Sequence, residues 1–434
     1  SSHAISIILE MSKFDSIMQH QKICKLAFST KEKISRINRS FCPALRILMN
    51  TMSYTKIYYL KSLASCFLAA VLSSCGGGGG NTSNPLPPEP VTPTQPSVGV
   101  TKFPDLNWDV EDPEVANVLS AGINEALDYA FQDNKNTQGV VIVRHGVIIG
   151  ERYAEDKSQY SLATSWSTGK SFASALIGIA LDKGYINSID ESAETYLPEW
   201  VGTGKTDITI RSILEMRSGL SAGSGGDANI YSGGINGDQL AFALARTAES
   251  TPRGQNWSYS NADSMLLAGI LEESTGQNVL DFADKELFSK IGMQADWWTD
   301  ERGHAMTYCC IDTTTRDFAR FGLLFARNGK WNDERLISES WVDMSTRVPS
   351  NSNNQGYALQ WWVNQDAGYF FAAGLHTNNI YVFPELDLVV VRNSTYTKVG
   401  TSSIRTGGNY HFTIAPLSWS HSSFLEPIVE AIMD

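Results

Sequence analysis

Ser165-Trp166-Ser167-Thr168-Gly169-Lys170-Ser171-Phe172 is the stretch that most constrains the fold and chemistry of this chain. The residues that follow, as far as Leu181, are small or apolar and predict a buried helix. If that helix begins at Ser167, the spacing of three places Lys170 on the same face, one turn along. A serine hydroxyl needs a neighbouring base to become a nucleophile, and an amine whose pKa is lowered by burial can act as that base. The helix N-terminus also offers free N–H groups where an oxyanion would form.

A second segment, Ser258-Tyr259-Ser260-Asn261, supports a catalytic interpretation of the first. An isolated S-x-x-K pattern is more often a capping serine beside a surface lysine. Here the apolar periodicity of residues 262–271 predicts a helix with Asn261 as its N-cap, so Tyr259 lies on the loop before it. Loops that lead into helices are common positions for catalytic groups. The two segments together therefore favour a catalytic Ser167.

The combination resembles the penicillin-recognising serine hydrolases, in particular the class C β-lactamase branch, whose middle motif begins with tyrosine. The resemblance spans residues 110 to 432 and includes three further segments, at 209–220, 313–322 and 380–391. It implies an α+β fold of the β-lactamase/transpeptidase type, with an antiparallel sheet flanked by helices.

The same resemblance implies roles for individual residues. Ser167 would attack a carbonyl carbon, and Lys170 and Tyr259 would share the part of general base. The sequence leaves open which of the two holds the proton at rest. Asn261 would orient Lys170 and the substrate by hydrogen bonding.

The third motif of the family is where this chain departs from the pattern. Members that handle penicillins carry Lys-Thr-Gly on the edge strand, whereas the matching place here is Ala373-Gly374-Leu375, followed by His376. Gly374 keeps the small residue that lets substrate lie against the strand, and His376 is a candidate substrate-binding residue. The departure resembles the branch of esterases and linear-amide hydrolases, including the 6-aminohexanoate-dimer hydrolases. That resemblance implies an oxyanion hole formed by the backbone N–H groups of Ser167 and Leu375.

The periodicity along the chain agrees with such a fold. It predicts an N-terminal helix at 114–131, a hairpin of strands at 140–143 and 147–153, and a mostly helical region at about 196–305. A further helix begins near residue 312, and strands follow at the ranges 357–364, 369–373, 380–383 and 388–392, before a closing helix at 424–433. Trp361 and Trp362 share a strand, so at most one of them faces a pocket. The order predicts one antiparallel sheet built from both chain ends.

The N-terminal quarter predicts export. Residues 1–51 are interpreted as a non-native or mis-assigned extension, because residues 52–75 have the basic start, short apolar core and lipobox-like end of a lipoprotein signal peptide. Cys75 would be lipidated. Residues 76–105 are rich in Gly and Pro and predict an extended tether, which leaves 106–434 as the hydrolase domain. We therefore expect a protein secreted across the inner membrane and lipid-anchored at the bacterial cell envelope.

Charge and cysteine content limit the partners. Removal of residues 1–74, with ten basic and three acidic residues, takes the net charge from −12 to −19, which argues against nucleic-acid binding. No metal-ligand or phosphate-loop spacing is present, so no metal or cofactor is expected. For Cys309 and Cys310 the favoured interpretation is two packed thiols, with a vicinal disulfide as the alternative.

The leading interpretation is a serine hydrolase that cleaves a small-molecule ester, amide or peptide through an acyl-enzyme. A β-lactamase or a DD-peptidase acting on cell-wall peptides is the first alternative. A non-catalytic binding lipoprotein that kept the fold is the second, and the presence of all three catalytic residue types argues against it.

Overall fold

The computed structural model describes residues 102–221, 227–231, 237–248 and 254–433. The predicted extension at 1–51, the signal peptide with Cys75, and most of the 76–105 tether lie outside the described residues. Everything described belongs to one unit, Thr94–Asp434.

The central element is a six-stranded antiparallel sheet in the order β2-β1-β11-β10-β9-β8. Its strands are β1 (Thr137–Arg144), β2 (Val147–Tyr153), β8 (Trp362–Asn364), β9 (Tyr369–Gly374), β10 (Asn378–Phe383) and β11 (Leu388–Ser394). All eight residues of β1 are buried, and β1 pairs with β11 through Val141 opposite Val391. A strand from the start of the domain thus lies beside one from its end, as the sequence predicted.

Both faces of the sheet are covered by helices, because successive side chains of a strand point to opposite faces. Ile142, Tyr381 and Val390 lie in the same apolar cluster as residues of helices α1 (Ser120–Ala130) and α10 (His421–Glu430). On the other face, Val141, Val389 and Val391 belong to the larger core, which contains helices α2 (Gly169–Asp182) and α8 (Thr315–Ala326). This layered α+β arrangement confirms the predicted fold class.

The remaining helices are short apart from one. They are α3 (Ile210–Leu214), α4 (Gln239–Leu244), α5 (Asn261–Thr275), α6 (Val279–Ala283), α7 (Ser289–Ile291) and α9 (Glu339–Thr346). The long helix α5 is almost wholly buried along its first three turns and contacts α2. The N-terminal ends of α2 and α5 carry the two motifs singled out above. Among the described helices, none is both long enough and apolar enough to cross a membrane.

Small strands complete the structure. They form a three-stranded sheet, β3 (Leu162–Thr164), β5 (Ile311–Thr314) and β4 (Asp296–Trp297), and two hairpins, β6 (Lys330–Trp331) with β7 (Glu334–Arg335) and β12 (Tyr396–Val399) with β13 (Tyr410–Thr413). The sequence reading missed the β12–β13 hairpin, because ten residues separate its strands and neither strand is continuously apolar.

Two predicted elements are shorter than expected, each because of one left-handed residue. The helix predicted at 114–131 is a 3₁₀ turn followed by α1, since Asn117 has φ 55° and ends the first turn. The strand predicted from Tyr357 begins only at Trp362, after Gln360 with φ 65°. The closing helix α10 begins and ends three residues earlier than predicted.

Cys309 and Cys310 form a vicinal disulfide, so the favoured interpretation of two packed thiols is wrong. Cys310 has φ 76°, and its turn brings the two sulfur atoms together although the residues are adjacent. Both residues are buried. The peptide groups of this pair contact the segment that carries Ser167, as described below.

Candidate active site

Ser167 lies in a 3₁₀ turn, Trp166–Thr168, that leads directly into α2. The turn is held from both sides. The Ser165 hydroxyl accepts hydrogen bonds from the N–H groups of Cys310 (3.0 Å) and Ile311 (2.8 Å). The Thr168 hydroxyl donates to the carbonyl of Asn378 on β10 (2.6 Å). The candidate nucleophile is therefore fixed to the disulfide segment and to the sheet before any substrate binds.

Lys170 is the centre of the site. Its side chain is 2 % exposed, and Nζ donates to Ser167 Oγ (3.2 Å), Asn261 Oδ1 (2.7 Å) and the backbone carbonyl of Tyr308 (2.6 Å). Burial lowers the pKa of Lys170 to about 7, and the charge of Asp227 opposes part of that shift. A near-neutral pKa suits a general base at neutral pH, because a large share of the amine is unprotonated.

Tyr259 lies on the other side of Ser167, with its ring 4.9 Å from Lys170 Nζ. Burial raises the pKa of the Tyr259 hydroxyl well above its usual range, while a hydrogen bond with Ser167 acts in the opposite direction. At neutral pH the hydroxyl keeps its proton and can donate it. The different pKa shifts favour Lys170 over Tyr259 as the resting base, a point that the sequence left open.

The N-terminus of α5 differs by one residue from the prediction. Ser260, not Asn261, is the N-cap, since its hydroxyl accepts from the N–H of Asp263 (3.0 Å). Asn261 is the first helical residue, and this frees its side chain to accept from Lys170. The Asp227 carboxylate accepts hydrogen bonds from the N–H groups of Asn261 (2.5 Å) and Ala262 (3.1 Å), which have no partner within the helix.

Sequence reasoning missed Asp227 and the carbonyl of Tyr308. Asp227 lies in a Gly-rich stretch with no recognisable pattern, and a backbone carbonyl has no signature in a sequence. Both act on Lys170, the carbonyl by a hydrogen bond and the carboxylate by its charge. Within the described ranges, no three His, Cys, Asp or Glu side chains are grouped so that they could hold a metal ion.

The end of β9 forms the opposite wall. A Cβ atom added to Gly374 would lie 2.2 Å from the carbonyl oxygen of Ser165, so only glycine lets this strand approach the Ser167 segment so closely. Leu375 follows in a 3₁₀ turn and is partly buried against the core. Its predicted role in an oxyanion hole stays a prediction.

His376 contacts β13. It has φ 61°, and its Nδ1 lies 2.7 Å from the Thr413 hydroxyl on β13, which also accepts from the indole of Trp166 (2.8 Å). Burial lowers the pKa of the His376 ring, which keeps it neutral. His376 thus joins β13 to the residue before Ser167, and its predicted contact with substrate stays a prediction.

Of the two adjacent tryptophans only one lies at the site, as predicted, although Trp361 precedes β8 instead of sharing it. Trp361 is fully buried in the core, whereas Trp362 is partly exposed and its ring lies parallel to that of Tyr259, with 6.4 Å between centroids. Trp257 contacts both Tyr259 and Trp362. An aromatic wall therefore borders the site on the β8 side.

Comparisons with known proteins identify the family and the fold of the chain. The family model described as Beta-lactamase matches residues 128–406, well over half of the chain. The 6-aminohexanoate-dimer hydrolase of Paenarthrobacter ureafaciens is 22% identical over 338 residues, which cover 71% of this chain and 80% of the relative. Among solved structures, a Bacillus anthracis protein provisionally described as a 6-aminohexanoate-dimer hydrolase is 23% identical, with a TM-score of 0.56 over 68% of this chain and 82% of that one.

A family VIII carboxylesterase has the same fold, at 14% identity and a TM-score of 0.54, covering 71% of this chain and 96% of that one. The family match and the shared fold confirm the resemblance drawn from the two helix-start motifs. The chain therefore belongs to the Beta-lactamase family and is a serine hydrolase.

Proposed function

We propose that this protein hydrolyses acyclic esters or linear amides, with Ser167 as nucleophile and Lys170 as resting base. The observation that carries the proposal is the buried Lys170 amine, 3.2 Å from Ser167 Oγ and with a pKa near 7. An amine that is deprotonated at neutral pH and in hydrogen-bond reach of a hydroxyl can take its proton as the hydroxyl attacks.

The steps follow from the geometry. Ser167 Oγ bonds to the carbonyl carbon of the substrate while its proton passes to Lys170. The oxyanion is stabilised by the N–H groups of Ser167 and Leu375. Tyr259 keeps its proton at rest and donates it to the leaving alkoxide or amine. The resulting phenolate then takes a proton from the Lys170 ammonium. Water then attacks the acyl carbon and gives up a proton to the same pair of groups. That proton passes to Ser167 Oγ as its bond to the acyl carbon breaks, which releases the carboxylic acid and restores the serine hydroxyl.

The end of β9 supports esters and linear amides over β-lactams. Ala373-Gly374-Leu375 offers neither the cation nor the hydroxyl that holds a β-lactam carboxylate in Lys-Thr-Gly enzymes. The curated relative at 22% identity is named for a linear amide, the 6-aminohexanoate dimer, and a structural neighbour for carboxylic esters. Neither bond type requires a charged group beside the strand.

A serine-directed probe tests the proposal. A fluorophosphonate should label the mature protein, and Ser167→Ala should abolish the labelling. Ser289→Ala, a change to an exposed serine on α7, is the control and should label like the wild type. Labelling that persists in Ser167→Ala, or fails in the folded wild type, would overturn the assignment.

We further propose that the enzyme is exported and anchored to the bacterial envelope by lipid on Cys75. The support is the sequence alone: a basic start and short apolar core end in Leu72-Ser73-Ser74-Cys75, and a Gly- and Pro-rich tether follows. In cells, Cys75→Ser should move the protein from the membrane fraction to the soluble fraction. An unchanged membrane fraction would count against the anchor.

A further inference from the structure

Two side chains contact the ring of Trp166, and a third lies on one of them. The Tyr231 ring lies 5.3 Å from the Trp166 ring, and the His411 ring lies 4.8 Å from it. The Arg405 guanidinium lies 4.0 Å from the centre of the Tyr231 ring. We call Arg405, Tyr231 and His411 the Arg405 cluster. It adjoins the residue that precedes Ser167.

The polar atoms of the Arg405 cluster have no partners. Arg405 Nη1, the Tyr231 hydroxyl and both ring nitrogens of His411 are buried, yet the described part of the chain provides a hydrogen bond to none of them. His411 is only 2 % exposed. Buried polar groups are nearly always hydrogen-bonded, so an unpaired set of this size indicates a missing partner.

The hydrogen-bonding groups of the cluster indicate which kind of partner is missing. A guanidinium only donates, and a tyrosine hydroxyl can donate. Burial, followed by the charges of Arg405 and Lys398, lowers the pKa of His411 to about 3, so its ring is neutral and donates through one nitrogen. Three donors without an acceptor suit an anion with two oxygens, and the planar fork of arginine matches a carboxylate.

The neighbouring carboxylates have partners of their own. Asp312 accepts from the Tyr396 hydroxyl through Oδ2 (2.6 Å), and that oxygen lies 3.5 Å from Lys398, while Oδ1 is buried without a hydrogen-bond partner among the described residues. Asp227 caps α5 and lies 3.7 Å from Arg246. No ion pair forms at Arg405 in the described ranges, although its backbone N–H is fixed by the carbonyl of Thr299 (2.8 Å). Within the part of the chain that the structure describes, the charge of Arg405 therefore has no counter-ion.

We propose that Arg405, with Tyr231 and His411, binds a carboxylate of the substrate, so that the preferred substrates are esters or amides carrying a second, unreacting carboxylate. This inference rests on the proposed function and names its substrate class. It also moves the anionic anchor of the substrate from the end of β9, where Lys-Thr-Gly would hold it, to the Arg405 cluster beside Trp166. Arg405 is then a specificity-determining residue that takes no part in bond breaking.

Matched substrates test the carboxylate on the acyl side. Mono-p-nitrophenyl succinate, glutarate and adipate are compared with their methyl esters, which have nearly the same length and no charge. For one chain length, the wild type should prefer the acid by roughly ten- to a hundredfold in kcat/KM, the range expected for a charge-assisted contact. Arg405→Gln should remove that preference and leave the methyl ester unchanged.

A second panel of substrates tests a carboxylate on the leaving group. It compares N-butyryl ω-amino acids with N-butyryl alkylamines of equal length. Arg405→Lys should restore part of the preference, because it returns the charge without the fork. Arg335→Gln, which changes an exposed arginine on β7, should behave like the wild type.

The outcomes separate the two proposals. If the fluorophosphonate labels Ser167 but neither panel shows a preference for the acid, the carboxylate site is wrong and the hydrolase stands. The same holds if Arg405→Gln lowers acid and methyl ester equally. If Ser167 is not labelled, the proposed function itself fails.

Discussion

The Lys170 network and the Arg405 cluster differ in how their polar atoms are satisfied. On the motif side, at the N-termini of α2 and α5, the Lys170 amine has three acceptors within 3.2 Å and each motif residue has a partner. Beside Trp166, the Arg405 cluster has buried donors without partners among the described residues. A closed network fixes geometry and pKa, whereas unpaired donors are available to a ligand. The motif side is therefore suited to bond breaking, and the Arg405 cluster to choosing the substrate.

The motif side should show the largest effect. Lys170→Met removes the base while keeping a side chain of similar length, and kcat/KM for p-nitrophenyl butyrate should fall roughly a thousandfold. Steady-state kinetics would measure the fall, with thermal unfolding recorded beside it. Lys183→Met, at the other end of α2 and half exposed, is the matched control and should stay within about twofold of the wild type. A Lys170→Met enzyme within tenfold of the wild type would contradict the role of the amine.

A smaller effect is expected from the identity of the third motif. Kinetics with a chromogenic cephalosporin and with p-nitrophenyl butyrate should favour the ester by roughly ten- to a hundredfold in kcat/KM, because a charge-assisted contact at Ala373-Gly374-Leu375 is missing. A cephalosporin value equal to or above the ester value would show that another group holds the carboxylate. If Arg405→Gln abolishes the cephalosporin activity but not the ester activity, Arg405 is the group that holds the carboxylate.

The close approach of β9 predicts an effect on stability. Gly374→Ala places a Cβ atom 2.2 Å from the Ser165 carbonyl, so the strand end must move, at a cost of about 1–3 kcal/mol in the free energy of unfolding. Urea denaturation measures that cost. Gly408→Ala is the control, because its added Cβ meets nothing within 4 Å. Equal stability of the two variants would mean that β9 does not approach the Ser167 segment as described.

The pH dependence should be the mildest effect. With the pKa of Lys170 lowered to about 7, the unprotonated amine is lost below that pH, and kcat/KM should fall by about tenfold for each unit below it. Above pH 7 the profile should be flat. Burial also raises the pKa of Asp263 to about 7, so Asp263→Asn must be compared. If the fall in kcat/KM below pH 7 disappears in Asp263→Asn, the titrating group is the Asp263 carboxyl instead of Lys170.

The sequence predicted the motif side better than the Arg405 cluster, for a physical reason. Ser167, Lys170 and Tyr259 are predicted from short local spacings at helix starts, and the apolar runs of β1 and β11 predict buried strands. The Arg405 cluster joins two distant segments, Tyr231 and the β12–β13 hairpin, and that hairpin lacks a strong strand pattern. The vicinal disulfide is only the alternative interpretation from the sequence, since the turn at Cys310 depends on its tertiary contacts.

The disulfide between Cys309 and Cys310 has one more consequence. Cross-links stabilise proteins mainly by shortening the loops of the unfolded chain, and a link between adjacent residues encloses almost no loop. Its effect must then be local, on the orientation of the peptides at 308–310. One of these peptides carries the carbonyl that binds Lys170, and another donates to the Ser165 hydroxyl. A reducing environment would thus leave the melting temperature nearly unchanged while loosening the alignment of nucleophile and base, so that a thermally intact sample could still be catalytically impaired.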